Sequence, residues 1–87
     1  MQTPLTLDQI PKNKKAFITA IDDRSHPHAE LSNIEKRLLE MGFVEGAPVM
    51  LLHEAPFSKD PLIVRLRNNR IAIRRSEAKC IQVQLQL

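Results

Sequence analysis

Two spacings of hydrophobic residues divide this chain. Period two is clearest at the end, CIQVQLQL. There Ile81, Val83, Leu85 and Leu87 fall on one side, and Gln82, Gln84 and Gln86 on the other, as in a strand with one buried face. Cys80 shares the parity of the glutamines and is expected off the core face, partly covered at the strand entry. KAFITAI (15–21), PVMLLHE (48–54), LIVRLR (62–67) and RIAIR (70–74) are further short runs rich in apolar and β-branched residues, and each predicts a strand. Helical spacing occurs once, from about His28 to Met41, where Leu31, Ile34, Leu38 and Met41 recur at i, i+3, i+7 and i+10. Ser32 with Glu35 fits a capping box that would start the helix at Ser32. The first fourteen residues form a lead-in. Leu5, Leu7 and Ile10 can cover one end of a core, and Pro4 and Pro11 argue against a long helix.

Turn chemistry joins these elements. The chain has two glycines, Gly42 and Gly46, both between the helix and the strand at 48. Gly42 suits the residue after a helix, where positive φ is common, and lets Phe43 fold back onto Leu38. Val44 to Ala47 then reads as a tight turn with Gly46 at its positive-φ position. Asn68-Asn69 is expected to turn the hairpin without glycine, because asparagine tolerates left-handed backbone. APFSKDP is a proline-bounded turn, and Ser76-Glu77-Ala78 a single short one. About five strands and one helix predict a mainly β fold, a small partly open β-barrel with a helical insertion, closed by pairing the last strand with that at 15–21.

Composition changes this picture little. Eighty-seven residues make one domain, 1–87, with a small core. With three Phe and neither Tyr nor Trp, that core is aliphatic. The net charge of +3 permits an acidic partner without demanding one. A single cysteine forms no internal disulfide and fits a reducing compartment. The N-terminus lacks the pattern of a secretory signal. Ala47 to Leu52, the longest apolar run, is far too short to cross a bilayer.

Candidate chemistry is sparse. No phosphate loop, nucleophile motif or metalloprotease motif is present, so catalysis is not expected. Asp22-Asp23 reads as a solvated turn. His26 and His28 set two imidazoles together near Asp22, Asp23 and Glu30, but a metal site needs three or four converging ligands. A lone thiol, Cys80, is a poor iron site. Arg65 and Arg67 alternate outward on one strand, while Arg70, Arg74 and Arg75 flank the next. The ordinary account is a solvated face; the functional one is a docking patch for an acidic surface, since the planar guanidinium pairs carboxylates bidentately. Leu39, Phe43 and Val44 at the helix corner form a second docking candidate, against the simpler account that they cap the barrel end.

The order of these pieces resembles the FeoA family. RLLEMGFVEGAPV, APFSKDPLIVRL and IAIRRSEAKCIQV carry the resemblance. The matching residues are Arg37, Leu38, Gly42, Gly46, Ala55, Pro56, Asp60, Pro61, Arg74, Glu77, Ala78, Ile81 and Val83. The departures lie in turns. Glu45 stands where the family often has Pro, Ser-Lys-Asp-Pro replaces a shorter Gly-Asp-Pro, a glycine near residue 13 is absent, and Asn68 stands near another. The resemblance implies an SH3-like barrel with a helix after its first strand. It implies a cytoplasmic, non-enzymatic accessory of bacterial ferrous iron uptake, regulating or assembling a membrane permease with a GTP-binding domain through protein–protein contact. It also associates the chain with transition metal ion binding. No cofactor, nucleic-acid partner or membrane insertion is expected, and weak self-association is allowed. The alternative is the SH3-like module of a metal-dependent transcriptional regulator. Few aromatic plates for stacking bases and no helix-turn-helix favour transport.

Overall fold

A computed structural model describes residues 5–22 and 31–86. Among these residues, six strands form one antiparallel sheet: β1 (Leu5–Thr6), β2 (Lys15–Ile21), β3 (Pro48–Glu54), β4 (Leu62–Leu66), β5 (Asn69–Ile73) and β6 (Ile81–Leu85). Their order is β1-β6-β2-β3-β4-β5. The predicted closure is therefore present, with β6 pairing β2 through Phe17↔Gln84 and Ile18↔Val83. The lead-in adds a sixth strand, β1, whose Leu5 faces Val83. A 3-10 turn at Leu7–Gln9 then buries Leu7. Helix α1 spans Leu31–Glu40 and the short α2 spans Arg75–Ala78. Ser32 is the second residue of α1, so the helix begins before the expected start.

Alternation sorts the side chains as the sequence demands. Ala16, Val49 and Leu66 face one another across three strands, and all are buried. Leu51 and Val64 form the next buried pair. Ile81 and Val83 bring the same face from β6, with Leu85 packed at its edge. Leu38 of α1 is fully buried, while Ile34 and Met41 pack beside the core. Bulges between Ile18 and Ala20 and between Leu51 and His53 shift the register and bend β2 and β3.

The helix corner is a Schellman ending. Phe43 N–H donates to Leu38 O and Gly42 N–H to Leu39 O, both at 3.0 Å. Gly42 has φ +104° and Gly46 +87°. Ala47 N–H closes the second turn onto Val44 O at 3.0 Å, and Gly46 N–H binds Ile18 O at 2.7 Å, which docks the corner on β2. A Cβ on Gly42 would meet Leu66 Cδ2 at 3.3 Å, whereas one on Gly46 meets nothing. Gly42→Ala is therefore expected to cost about 2 kcal/mol, the strain of positive φ plus a displaced Leu66. Gly46→Ala carries the backbone strain alone and should cost less. Chemical denaturation of the two variants checks the order.

Two turns depart from expectation. The β4–β5 loop is Arg67–Asn68, one residue earlier than Asn68-Asn69, and Asn69 already pairs with Leu66. Its left-handed residue is Arg67, φ +56°, whose N–H donates to Pro48 O at 3.1 Å. Pairing with β3 decides the register here, against asparagine's preference. Asn13, φ +64°, takes the conformation for which a glycine was expected nearby, with its N–H on Leu51 O at 2.8 Å.

Candidate functional site

The β3–β4–β5 register divides the arginines that the sequence grouped. Arg65 stands opposite Arg70, and both are exposed. Met50 faces Arg65 on one side and Lys15 on the other. Opposed residues in an antiparallel sheet point to the same face, so Lys15, Met50, Arg65 and Arg70 form one outward row across four strands. Arg67 joins it through the turn. Together Lys15, Pro48, Met50, Arg65, Arg67 and Asn68 line a cleft of about 370 Å³.

Arg74 and Arg75 belong elsewhere. They lie beyond the far end of β5, about 13 Å along the strand direction from Arg70. Arg74 is exposed beside Asp60 and Pro61, and its N–H donates to Glu77 Oε1 at 2.8 Å. Arg75 is turned into the fold. Its Nη2 donates to Glu54 Oε1 at 2.9 Å and to Lys59 O at 3.2 Å, its N–H donates to Asp60 Oδ1 at 2.7 Å, and Asp8 lies at 4.0 Å. Arg75 is thus a clamp on the Ala55–Pro61 loop rather than part of a docking patch.

The hydrogen bond from Arg75 holds the Glu54 carboxyl below the usual carboxylate range. A depressed carboxyl stabilises the fold above its ordinary pKa, and that increment is lost as pH falls through the folded value. The stability difference between wild type and Glu54→Gln should therefore be fully present at about pH 6 and shrink as pH falls below the ordinary glutamate range. Thermal melts across that range test it.

The second candidate surface also divides. Leu39 is exposed and Val44 is half-buried, but Phe43 is fully buried and offers a partner nothing. The Schellman turn that brings Phe43 back over Leu38 is what buries it. Cys80 is likewise fully buried, against expectation. It sits in the turn after α2 rather than in β6, so strand parity does not apply; its N–H binds Glu77 O at 3.0 Å and its Sγ lies 3.6 Å from Ser76 O. His26, His28, Asp23 and Glu30 lie outside the described residues. Among the described residues, no group of three His, Cys, Asp or Glu side chains could hold a metal ion. No helix among them is long and apolar enough to cross a membrane.

Three features escaped the sequence. Lys15 and Met50 enter the arginine face through strand pairing, for which the chain carries no local signal. Phe57, in the proline-bounded loop, is fully exposed; its place outside any alternating run was the one available hint. Arg37, near the end of α1, pairs with the buried Glu77 of α2 and joins the helical insertion to the sheet's last connection.

These observations define an SH3-like barrel module with a helical insertion, whose prominent feature is a basic surface cleft. The FeoA domain model matches residues 5–85, and the chain belongs to the FeoA family. It is 40% identical over 81 residues to the Fe(2+) transport protein A/Fe(2+) transporter FeoB fusion protein of Porphyromonas gingivalis, covering 93% of this chain and 9% of that protein. The zinc complex of Stenotrophomonas maltophilia FeoA, a procaryotic SH3 domain protein, superposes with TM-score 0.75 at 35% identity, covering 92% of this chain and 89% of that one. The FeoA-like protein of Clostridium acetobutylicum superposes with TM-score 0.78 at 28% identity, covering 100% and 92%.

Proposed function

We propose that this protein is a cytoplasmic, non-enzymatic accessory of bacterial ferrous iron uptake that binds the ferrous iron permease and regulates or assembles it. The observation that carries this reading is the fusion relative, in which a module matching 93% of this chain shares one polypeptide with an Fe(2+) transporter. Covalent linkage keeps two domains at high effective concentration, which suits partners that act in contact. The exposed cations of the β2–β5 face offer the means, because charge complementarity speeds encounter and selects the partner.

The test is binding of the purified chain to the permease's cytoplasmic GTP-binding domain and to the full permease, at low and high salt. Binding that weakens with salt supports the reading. Salt-independent binding keeps the accessory role but removes the arginine face from it. Failure to bind either form overturns the reading in favour of a regulatory role, to be followed by metal and DNA titrations.

A further inference from the structure

The outward row across β2–β5 is unfavourable to the fold itself. Arg65 stands directly opposite Arg70, and like charges at such a position repel. No carboxylate among the described residues pairs with them. Among the described residues, the ion pairs join Lys36 to Glu40, Arg37 to Glu77, and Arg75 to Glu54 and Asp8. The side chains of Lys15, Arg65, Arg67 and Arg70 make neither an ion pair nor a hydrogen bond there. Four exposed cations are thus held close together by strand register, with Met50 half-buried between Lys15 and Arg65. Adjacent strands lie about 4.8 Å apart, so the backbones carrying Lys15 and Arg65 flank that of Met50 at a separation of about 10 Å.

The surface is also concave and partly apolar. Pro48 and Met50 line the cleft between the cations, and Phe17, opposite Pro48, is exposed beside it. We propose that this cleft binds an acidic segment of a partner protein, seating one apolar side chain on Met50 and Pro48 and placing carboxylates against Lys15 on one side and Arg65 and Arg67 on the other. The proposal rests on the reading of the chain as a docking module and names the chemistry that the module accepts. A second copy presenting the same face would set cations against cations. A flat anionic bilayer reaches the rim but not the recessed Met50. A nucleic acid would find phosphate contacts, yet the cleft offers a thioether and a proline ring in place of aromatic plates on which bases stack. An acidic segment with an apolar anchor satisfies both the charge and the recess, and arginine forks hold carboxylates bidentately.

The test titrates the isotope-labelled chain with a short peptide carrying glutamates on both sides of one leucine. Resonances of Lys15, Met50, Arg65 and Arg67 should shift to saturation. Replacing the peptide's leucine by serine should weaken binding about tenfold, and so should Met50→Ser in the protein. Arg65→Glu should abolish binding. That variant gains a favourable pair with Arg70, so its fold is retained. Arg74→Glu, the same charge change beyond the other end of β5, should leave binding intact. Equal affinity for the leucine and serine peptides, or equal damage from Arg74→Glu and Arg65→Glu, would reduce the cleft to diffuse positive charge and overturn the proposal. Tighter binding of a short oligo-dT strand, or of phosphatidylserine vesicles, would overturn it in favour of nucleic acid or membrane. The peptide arms contain no permease, so the two readings fail separately. A chain that takes the peptide but not the permease loses the transport role alone; permease binding unaffected by Arg65→Glu removes the cleft alone.

Discussion

Phe43→Ala should lower the unfolding free energy by about 3–5 kcal/mol, the cost of emptying a fully buried aromatic site. An 87-residue domain has a total stability of roughly 5–15 kcal/mol, so this one substitution should consume a large part of it. The site cannot collapse easily. Phe43 belongs to the buried cluster with Leu38, Ala47 and Val49, and its backbone is pinned by the 3.0 Å bond to Leu38 O. Its neighbours are therefore held by the Schellman turn and by β3. Guanidinium denaturation gives the loss directly. The residue was also a docking candidate, and the two roles separate cleanly. The folded fraction of Phe43→Ala should bind partners as wild type does. Impaired docking without a loss of stability would contradict the burial.

Arg37→Ala should cost about 2–4 kcal/mol, far more than an ordinary surface ion pair. The asymmetry of the pair sets this size. The Glu77 side chain is 6% exposed and that of Arg37 57%. Removing Arg37 leaves a buried carboxylate whose other partner is the Arg74 N–H at Oε1. Glu77→Gln keeps an oxygen for that N–H and removes the charge, so it should be milder, about 1 kcal/mol. The double variant should be less destabilised than the sum of the singles, because the buried charge is absent once Glu77 has gone. If Arg37→Ala falls within about 0.5 kcal/mol of wild type, the pair is solvent-screened and the junction of α1 with α2 rests on packing alone.

The two predictions mark where sequence reasoning succeeded and where it stopped. Phe43 was placed correctly on the backbone, since glycine after a helical stripe predicts the reversal that folds it back over Leu38. Whether it then faces core or solvent depends on what else fills the space above the barrel end, and the local sequence carries no record of that. Arg37 and Glu77 stood out by their family positions, but they lie 40 residues apart, and no spacing rule couples a helix end to a turn across that distance. Cys80 shows the same limit at short range. Parity holds only within a strand, and β6 begins one residue later, at Ile81.

The candidate site was legible in part. Arg65 and Arg67 were expected outward, and both are exposed. Their grouping with Arg74 and Arg75 assumed that nearness in sequence means nearness on the surface. A hairpin instead brings Arg65 to Arg70 and carries Arg74 to the opposite end, where Arg75 turns in to meet Glu54.

The sequence by itself determined the strands at 15–21 and 48–54, the one long helix, the two glycine reversals and the pairing of the last strand with β2. The pairing follows from the need to cover exposed sheet edges; the other features follow from side-chain period or from φ, which act over a few residues. Only the tertiary structure decided the β4–β5 turn at Arg67–Asn68, the burial of Phe43 and Cys80, the clamp at Arg75 and the row from Lys15 to Arg70. Those depend on register between segments far apart in the chain, which is set by the shared core and is invisible to any local pattern.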